Sequence, residues 1–507
     1  MRTYIFFFLC SMFFSMMLTP IVRIFALRLG YVDKTSKRKV HDRPIPHIGG
    51  AAIFFAFLIP FGGFLIYRNM ITDVLIEHMV EVFGIIMGAL IVFLIGAFDD
   101  IKGARARFKF IVEILAACLV YYAGVRILKL SNPFSETPFT FGHIVGLPFT
   151  VVWIVGVTNA VNFSDGIDGL AAGMSIFVAV VLFVVSLINN HTLIALLSIT
   201  LAGGTAGFLV FNFPPAKIFM GDSGALFLGF MLGSVSILGS MKGTAAVALF
   251  IPILAMIVPL SDTLMAMARR ILKGRGMTEP DQDHVHHRLL KKGLSHRQII
   301  LILYGVTAFF GLVALAVVYT NRRENAVVLG AVGILGIILI RRLGYREFKV
   351  DKIPETLKES MEERKKTRGE RAVIKGFEEK ARNLTVPAIW EELMNTVRTL
   401  GYTAVEIHPE KGTSLFEKQT KKSTSTRHSP PATRHSNTKG FSFLWKSPDL
   451  EIDAVNITWY LEIPVFSSKD RKIAELKVYK DEKSHSRQVH DEVILDLLCE
   501  VVKESLG

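Results

Sequence analysis

Eleven apolar stretches, each long enough to cross a lipid bilayer, dominate the first 341 residues of this chain. They run at roughly 4–27, 48–67, 80–98, 109–127, 142–159, 169–188, 193–211, 224–240, 245–267, 299–319 and 325–341. A spanning helix needs about 20 predominantly apolar residues, with a lower limit near 17. Lipid offers no partner to backbone N–H and C=O groups, so segments of this length fold as helices that satisfy their own backbone. The first stretch is too long and too rich in Phe and Met for a cleaved signal, and no small-residue cleavage site follows it. Pro20 is expected to kink it. The sequence therefore predicts an all-α polytopic membrane unit of about eleven transmembrane helices over residues 1–341.

Charge divides the chain at the same place. Residues 1–341 carry 28 Lys+Arg against 17 Asp+Glu, and residues 342–507 carry 30 against 27. In the first part the loop cations alternate from side to side. One set of connections holds 18 of them, from Lys34, Lys37, Arg38, Lys39 and Arg43 through to the loop of Arg269–Arg297, and the opposite set holds 6. Cytoplasmic loops carry the excess of Lys and Arg, so the N-terminus is expected outside and the C-terminus in the cytoplasm. The basic balance then reads as a topology signal and not as a nucleic-acid surface. The three cysteines, Cys10, Cys118 and Cys499, exclude a disulfide scaffold, and a hydrophobic content of 51% excludes wholesale disorder.

Beyond 341 the apolar blocks stop. Residues 342–386 are highly charged and read as a solvated helix or linker. Residues 387–507 read as a small cytoplasmic α+β domain, with helices at 388–400 and 488–506, strands at 403–408, 455–465 and 472–479, and a flexible loop at 421–440. That domain contains no chemical motif and is expected to bind an unknown cytoplasmic partner.

An Asp at the centre of a span costs about 2.5–3.5 kcal/mol on insertion scales. Here the acids of the motifs stand at span ends, all on the face that the cations assign to the cytoplasm. The motifs are KVHDRPIPHIGG at 39–50, GAFDD ending at Asp100, NAVNFSDGIDGLAAG from Asn159, FMGDSGALFLG from Phe219, and DHVHHRLL from Asp283. Each has a plain structural reading, since Asn, Asp and Gly suit caps and turns. The histidines alone make a poor zinc site without cysteines. Together, carboxylates and amides on one face are the materials of a hard-cation site that shares its ion with substrate phosphates. Lys109, Arg43, Arg288 and the His loop supply donors for a diphosphate. That combination points to phosphoryl transfer, where catalysis is mostly positioning and charge neutralisation.

These five ordered motifs resemble the polyprenyl-phosphate N-acetylhexosamine-1-phosphate transferases over residues 1–341. The resemblance implies transfer of a sugar 1-phosphate from a UDP-N-acetylhexosamine to undecaprenyl phosphate at the cytoplasmic face of the plasma membrane. The products are a polyprenyl-diphospho-sugar and UMP, the first step of a cell-wall or surface glycan. Mg²⁺ is the implied cofactor, with Mn²⁺ as an alternative. One branch of the family uses UDP-N-acetylmuramoyl-pentapeptide and carries three consecutive histidines. Here Val285 separates His284 from His286, as in the branch that uses UDP-N-acetylglucosamine. The resemblance leaves room for a homodimer.

Carried over position by position, the family pattern makes Asp222 and Asn162 metal or diphosphate ligands. Asp99, Asp100, Lys109, Asp165, His286 and His287 become catalytic residues. Arg43, Asn159, Gly166, Ile167, Asp168, Phe219, His284 and Arg288 become substrate-binding ones. Phe219 suits stacking on uracil and Asp168 suits its N–H. Asp99 matches a proposed base, although a phosphate with a second pKa near 6 is largely dianionic already at neutral pH. A transporter would instead need acids near span centres or inverted repeats, and neither is visible.

Overall fold

The computed structural model describes residues 1–33, 45–64, 70–130, 139–242, 250–272 and 284–319, scattered positions between 324 and 399, and five strands beyond 403. The chain forms two compact units, Met1–Ile353 and Pro354–Gly507.

The first unit is helical. Its long helices are α1 (Arg2–Leu29), α2 (Gly50–Phe64), α4 (Met79–Lys102), α5 (Ala106–Tyr122), α6 (His143–Ser164), α7 (Leu170–Ile188), α8 (Thr192–Asn212), α9 (Gly221–Lys242), α11 (Ile257–Leu272) and α13 (His296–Val318). Short helices α3 (Met70–Glu77), α10 (Phe250–Ala255) and α12 (Val285–Lys291) lie between them. Seven of these, α1, α4, α6, α7, α8, α9 and α13, are long and apolar enough to cross a membrane. That fits a polytopic membrane protein. The other expected spans differ in detail. The second and fourth fall on the shorter α2 and α5. The ninth, expected over 245–267, is interrupted at Met256, which separates α10 from α11. The eleventh, 325–341, lies largely outside the described residues. Pro20 sits within α1, which runs on through it as helix.

Burial decides which helix is central. About 89% of the apolar window of α9 is buried, against 22% for α1. Around α9 pack α2, α4, α6, α7 and α8. Phe54 of α2 stacks on Phe93 of α4 at 4.3 Å, and Phe227 of α9 meets Phe54 edge-on at 5.3 Å. Such aromatic pairs contribute about 0.5–1.5 kcal/mol beyond their area. α2 and α9 meet backbone on backbone: a Cβ on Gly50 would stand 2.1 Å from Gly224 N. Small residues allow such contact where lipid supplies no hydrophobic drive between helices.

Some of the polar groups inside the bundle are satisfied within a single helix, while others, Ser11, Ser15, Ser175 and Ser198 among them, are buried without a hydrogen-bond partner. Thr19, Thr150, Thr158, Ser164, Ser186, Thr200, Thr205 and Thr307 each donate to the carbonyl four residues earlier in their own helix. Two short hairpins complete the unit. β1 (Val32–Asp33) pairs with β2 (Ile45–Pro46), and β3 (Lys129–Leu130) with β4 (Phe139–Thr140).

The second unit contains β5 (Ala404–Pro409), β6 (Thr433–Asn437), β7 (Gly440–Lys446), β8 (Trp459–Phe466) and β9 (Lys472–Lys480) in one antiparallel sheet of order β6-β7-β5-β9-β8. Three strands match the expected ones. The expected flexible loop at 421–440 is corrected in its second half, where β6 and the start of β7 form a hairpin with Asn437 opposite Gly440. Ser/Thr-rich composition hid it, but the aromatic residues Phe441, Phe443 and Trp445 recur at every second position, a strand period. Residues 421–432, most of 342–400 and all of 488–506 lie outside the described residues.

Candidate active site

The polar motifs meet at one end of the bundle, gathered by the N-terminus of α9. Backbone bonds lash its approach to the segment before α2. Phe219 N–H donates to Pro46 O at 2.8 Å, Gly49 N–H to Phe219 O at 2.9 Å, and Gly50 N–H to Met220 O at 2.8 Å. Gly221 adopts a left-handed φ of 71°. A Cβ there would lie 2.0 Å from the His47 carbonyl oxygen and 2.6 Å from Asp100 Oδ2, so only glycine fits. The Asp100 carboxylate accepts from Asp222 N–H at 2.8 Å and Ser223 N–H at 3.1 Å. These are the donors a helix leaves unmet in its first turn, and a carboxylate suits the positive helix end. His47 Nε2 lies 2.6 Å from the Asp100 carbonyl oxygen; a carbonyl only accepts, so this nitrogen carries the proton.

Lys109, in the first turn of α5, joins two motifs. Its Nζ donates to Asp99 Oδ2 at 2.8 Å and to Asp222 Oδ2 at 2.5 Å. The other Asp99 oxygen accepts from Ala104 N–H. Asp165 follows α6 and keeps part of its surface open. Burial first, then the carboxylates of Asp222, Asp100 and Asp168, push its carboxyl well above the usual range. Asn162 is half-buried in the last turn of α6. Asn159, one turn earlier, donates to Glu113 Oε2 at 2.5 Å and to Val155 O at 2.9 Å.

The next motif residues build the wall. Asp168 is buried, and its Oδ2 accepts from Ala216 N–H at 2.9 Å. Asn212 clamps the same connection, accepting from Gly169 N–H and donating to Ile218 O, both at 2.9 Å. Tyr304 O–H donates to Gly169 O at 2.5 Å. Ile167 is buried with Leu170, Leu289 and Ile299, while Phe219 stays partly open.

The histidine loop closes over this floor. A Cβ on Gly166 would stand 2.6 Å from His286 Nε2, which sets the NFSDG turn against that ring. His284 and His286 stack in parallel at 5.7 Å, and His287 follows at 4.3 Å. Burial, then the neighbouring His287, lowers His286 to about 4. It is therefore neutral at physiological pH and offers hydrogen bonds, not charge. His287 and Arg288 are half-buried, and Arg43 lies outside the described residues.

Two acids here escape a reading of span ends. Glu113 stands inside an apolar helix, and the high cost of such a group was the signal available. Asp262 of α11 accepts from Val285 N–H at 2.9 Å and lies 3.1 Å from His284 Nδ1. It thereby caps α12 and fixes the histidine ladder. Asp262→Ala is expected to cost about 1–2 kcal/mol locally, the usual loss on removing a cap. Hydrogen exchange at the amides of 285–291 should accelerate while that of α7 and α8 stays unchanged.

Mg²⁺ usually binds through one or two carboxylates plus substrate phosphates. The described residues contain no group of three or more His, Cys, Asp or Glu side chains placed to hold a metal ion by themselves. Four carboxylates, Asp99, Asp100, Asp165 and Asp222, converge here, and Lys109 pairs with only two of them. Both oxygens of Asp99 and of Asp100 already accept hydrogen bonds, so Asp222, Asp165 and the nearby Asn162 amide are the groups left to meet a cation shared with substrate phosphates.

Comparison with known proteins gives a consistent picture. Residues 82–240 match the glycosyl transferase family 4 model. A probable undecaprenyl-phosphate N-acetylglucosaminyl 1-phosphate transferase of Bacillus subtilis is 38% identical over 61% of this chain and 83% of its own length. The decaprenyl-phosphate N-acetylglucosaminephosphotransferase of Mycolicibacterium smegmatis is 33% identical over 63% and 83%. A phospho-N-acetylmuramoyl-pentapeptide-transferase of Clostridium botulinum is 30% identical over 58% and 90%.

Proposed function

The chain belongs to the polyprenyl-phosphate N-acetylhexosamine-1-phosphate transferases, and from that premise we propose that it moves N-acetylglucosamine 1-phosphate from UDP-N-acetylglucosamine to undecaprenyl phosphate on the cytoplasmic membrane face. The observation that carries this reading is the Lys109 bridge between Asp99 and Asp222, with Asp165 and the histidine loop around it. In the reaction an oxygen of the lipid phosphate attacks the phosphorus that bears the sugar. A new P–O–P link forms, the bond to the uridylyl phosphate breaks, and UMP leaves with the electron pair.

Lys109 provides a fixed cation beside the reacting phosphates, and Asp99 holds it there through a charge-assisted hydrogen bond. The lipid phosphate is largely dianionic at neutral pH, so Asp99 needs to take no proton. Asp222 and Asn162, with Asp165 adjacent, would hold Mg²⁺, which supplies neutralisation of phosphate charge when bound. Asp100 fixes Asp222 by capping α9. Neutral His286 with His287 and Arg288 would donate to sugar and diphosphate, and Phe219 would stack on uracil above the turn held by Asp168. The 18-to-6 imbalance of loop cations supports a cytoplasmic site with the N-terminus outside.

The donor is read from the loop DHVHHRLL, which lacks three consecutive histidines. Purified protein with Mg²⁺, undecaprenyl phosphate and a panel of UDP-sugars should release UMP fastest with UDP-N-acetylglucosamine, and chelation should stop it. Equal turnover with UDP-N-acetylmuramoyl-pentapeptide would overturn the donor, and no UMP from any UDP-sugar would overturn the activity. The residues given chemical roles all lie within Met1–Ile353. Truncation after Ile353 should therefore keep turnover within about tenfold, roughly 1.4 kcal/mol of barrier, at matched monodisperse concentration. A fall beyond about a hundredfold would mean that the second unit helps to build the site.

A further inference from the structure

Glu113 is a buried carboxylate that none of the chemistry above uses. It is 2% exposed, in the middle of an apolar helix. It stands one turn after Lys109, and residues four apart share a helix face. It lies within electrostatic reach of both Lys109 and Asp222. Its Oε2 receives the Asn159 amide at 2.5 Å, a link between α5 and α6. Asn159 is in turn tied to its own helix through Val155 O. Three residues later on α6 comes Asn162, and then Asp165 closes the helix.

We propose that Glu113 is a positioning residue for the transfer reaction: by gripping the Asn159 amide it holds the last turn of α6 in register with the Lys109 face of α5. The inference rests on the reaction given above. Its physical content is that two elements must meet at a fixed offset. α5 delivers an ammonium between Asp99 and Asp222, and α6 delivers Asn162 and Asp165 to the same space. Thr158 and Ser164 return their bonds to α6 itself, while at the start of α6 Tyr121 of α5 meets His143 Nδ1 at 2.7 Å and Ile127 N–H donates to Thr150 Oγ1 at 2.9 Å. Those contacts pin the start of α6, not the end that carries Asn162 and Asp165. The Glu113–Asn159 bond pins that end to α5, and in a water-poor setting a buried side-chain hydrogen bond is directional and strong. Phosphoryl transfer depends on alignment, so a small rotation of α6 is felt in turnover.

The test separates hydrogen bond from charge and from bulk. Glu113→Gln keeps an acceptor of the same size and is expected to stay within about threefold of the parent in kcat. Glu113→Ala should lose about thirtyfold in kcat with the KM for the UDP-sugar shifted less than about threefold. Asn159→Asp sets two carboxylates against each other, and adding Glu113→Gln restores a donor–acceptor pair with reversed direction. The double variant should regain at least about tenfold over Asn159→Asp alone. Hydrogen exchange at the amides of 159–166 should rise in Glu113→Ala and not in Glu113→Gln, a readout that stands even if the parent transfers a different sugar. The proposal is overturned if Glu113→Gln is as impaired as Glu113→Ala, if the double variant shows no recovery, or if exchange at 159–166 is unchanged in Glu113→Ala. Parent turnover in the same assay reports separately on the reaction itself.

Discussion

Asp222→Asn is expected to lower turnover by at least about a hundredfold, roughly 2.7 kcal/mol of barrier, with little loss of folded protein. The carboxylate holds Lys109 at 2.5 Å and stands at the N-terminus of the central helix. Asn keeps the size and one acceptor oxygen. The backbone N–H of residue 222 still meets Asp100, so the helix start survives. What goes is the negative charge, and with it one anionic ligand for the cation and one of the two anchors of Lys109. A charged hydrogen bond contributes about twice a neutral one, and metal binding by oxygen ligands depends on their charge. The measurement is UMP release across an Mg²⁺ titration at matched, monodisperse concentration. Near-normal turnover at saturating Mg²⁺ would remove Asp222 from the site.

Gly221→Ala should be at least as damaging, by another route. The left-handed φ costs an L-residue about 1–2 kcal/mol. The new methyl would also meet the His47 carbonyl oxygen at 2.0 Å, and relief of overpacking costs about 1–3 kcal/mol more. Neither neighbour is a flexible side-chain end. His47 O is backbone, and Asp100 is held at both oxygens by the first turn of α9. The expected result is a fall of several degrees in the unfolding midpoint in detergent, together with loss of transfer. A midpoint unchanged within about 1 °C would contradict the close packing of this corner.

The membrane helices were legible because length and apolarity act over about 20 residues at a time. Met256 was not legible as a break, since VALFIPILAMIVPL reads as one apolar run. The motifs were legible as a set because their acids and amides stand where lipid tolerates them, at helix ends. Their division of labour was not. Asp99 and Asp100 are adjacent in sequence, yet Asp99 faces Lys109 and Asp100 caps α9. Ile167 reads as a contact for uridine, but its side chain is buried in the cluster beneath α12. Glu113 and Asp262 carry no motif around them: Glu113 stands out in sequence only by its cost inside an apolar stretch, and their roles show only through their three-dimensional partners, Asn159 and His284.

The eight hydroxyls that bond back to their own helices bear on how this protein is made. A helix whose polar groups are already satisfied can leave the translocation machinery and rest in lipid before any neighbour arrives. Among the described residues α13 fits that picture, whereas α1, α7 and α8 carry the buried hydroxyls of Ser11, Ser15, Ser175 and Ser198 without a hydrogen-bond partner. α5 is different, because Lys109 and Glu113 enter with it, and their outside partners sit on α4, α6 and α9. On entry the two side chains, one turn apart and opposite in sign, have each other. Asp99 on the preceding α4 is within reach at once, but Asn159 and Asp222 come only with α6 and α9. The ammonium and carboxylate of α5 thus find their full set of partners only where α4, α6 and α9 all meet α5.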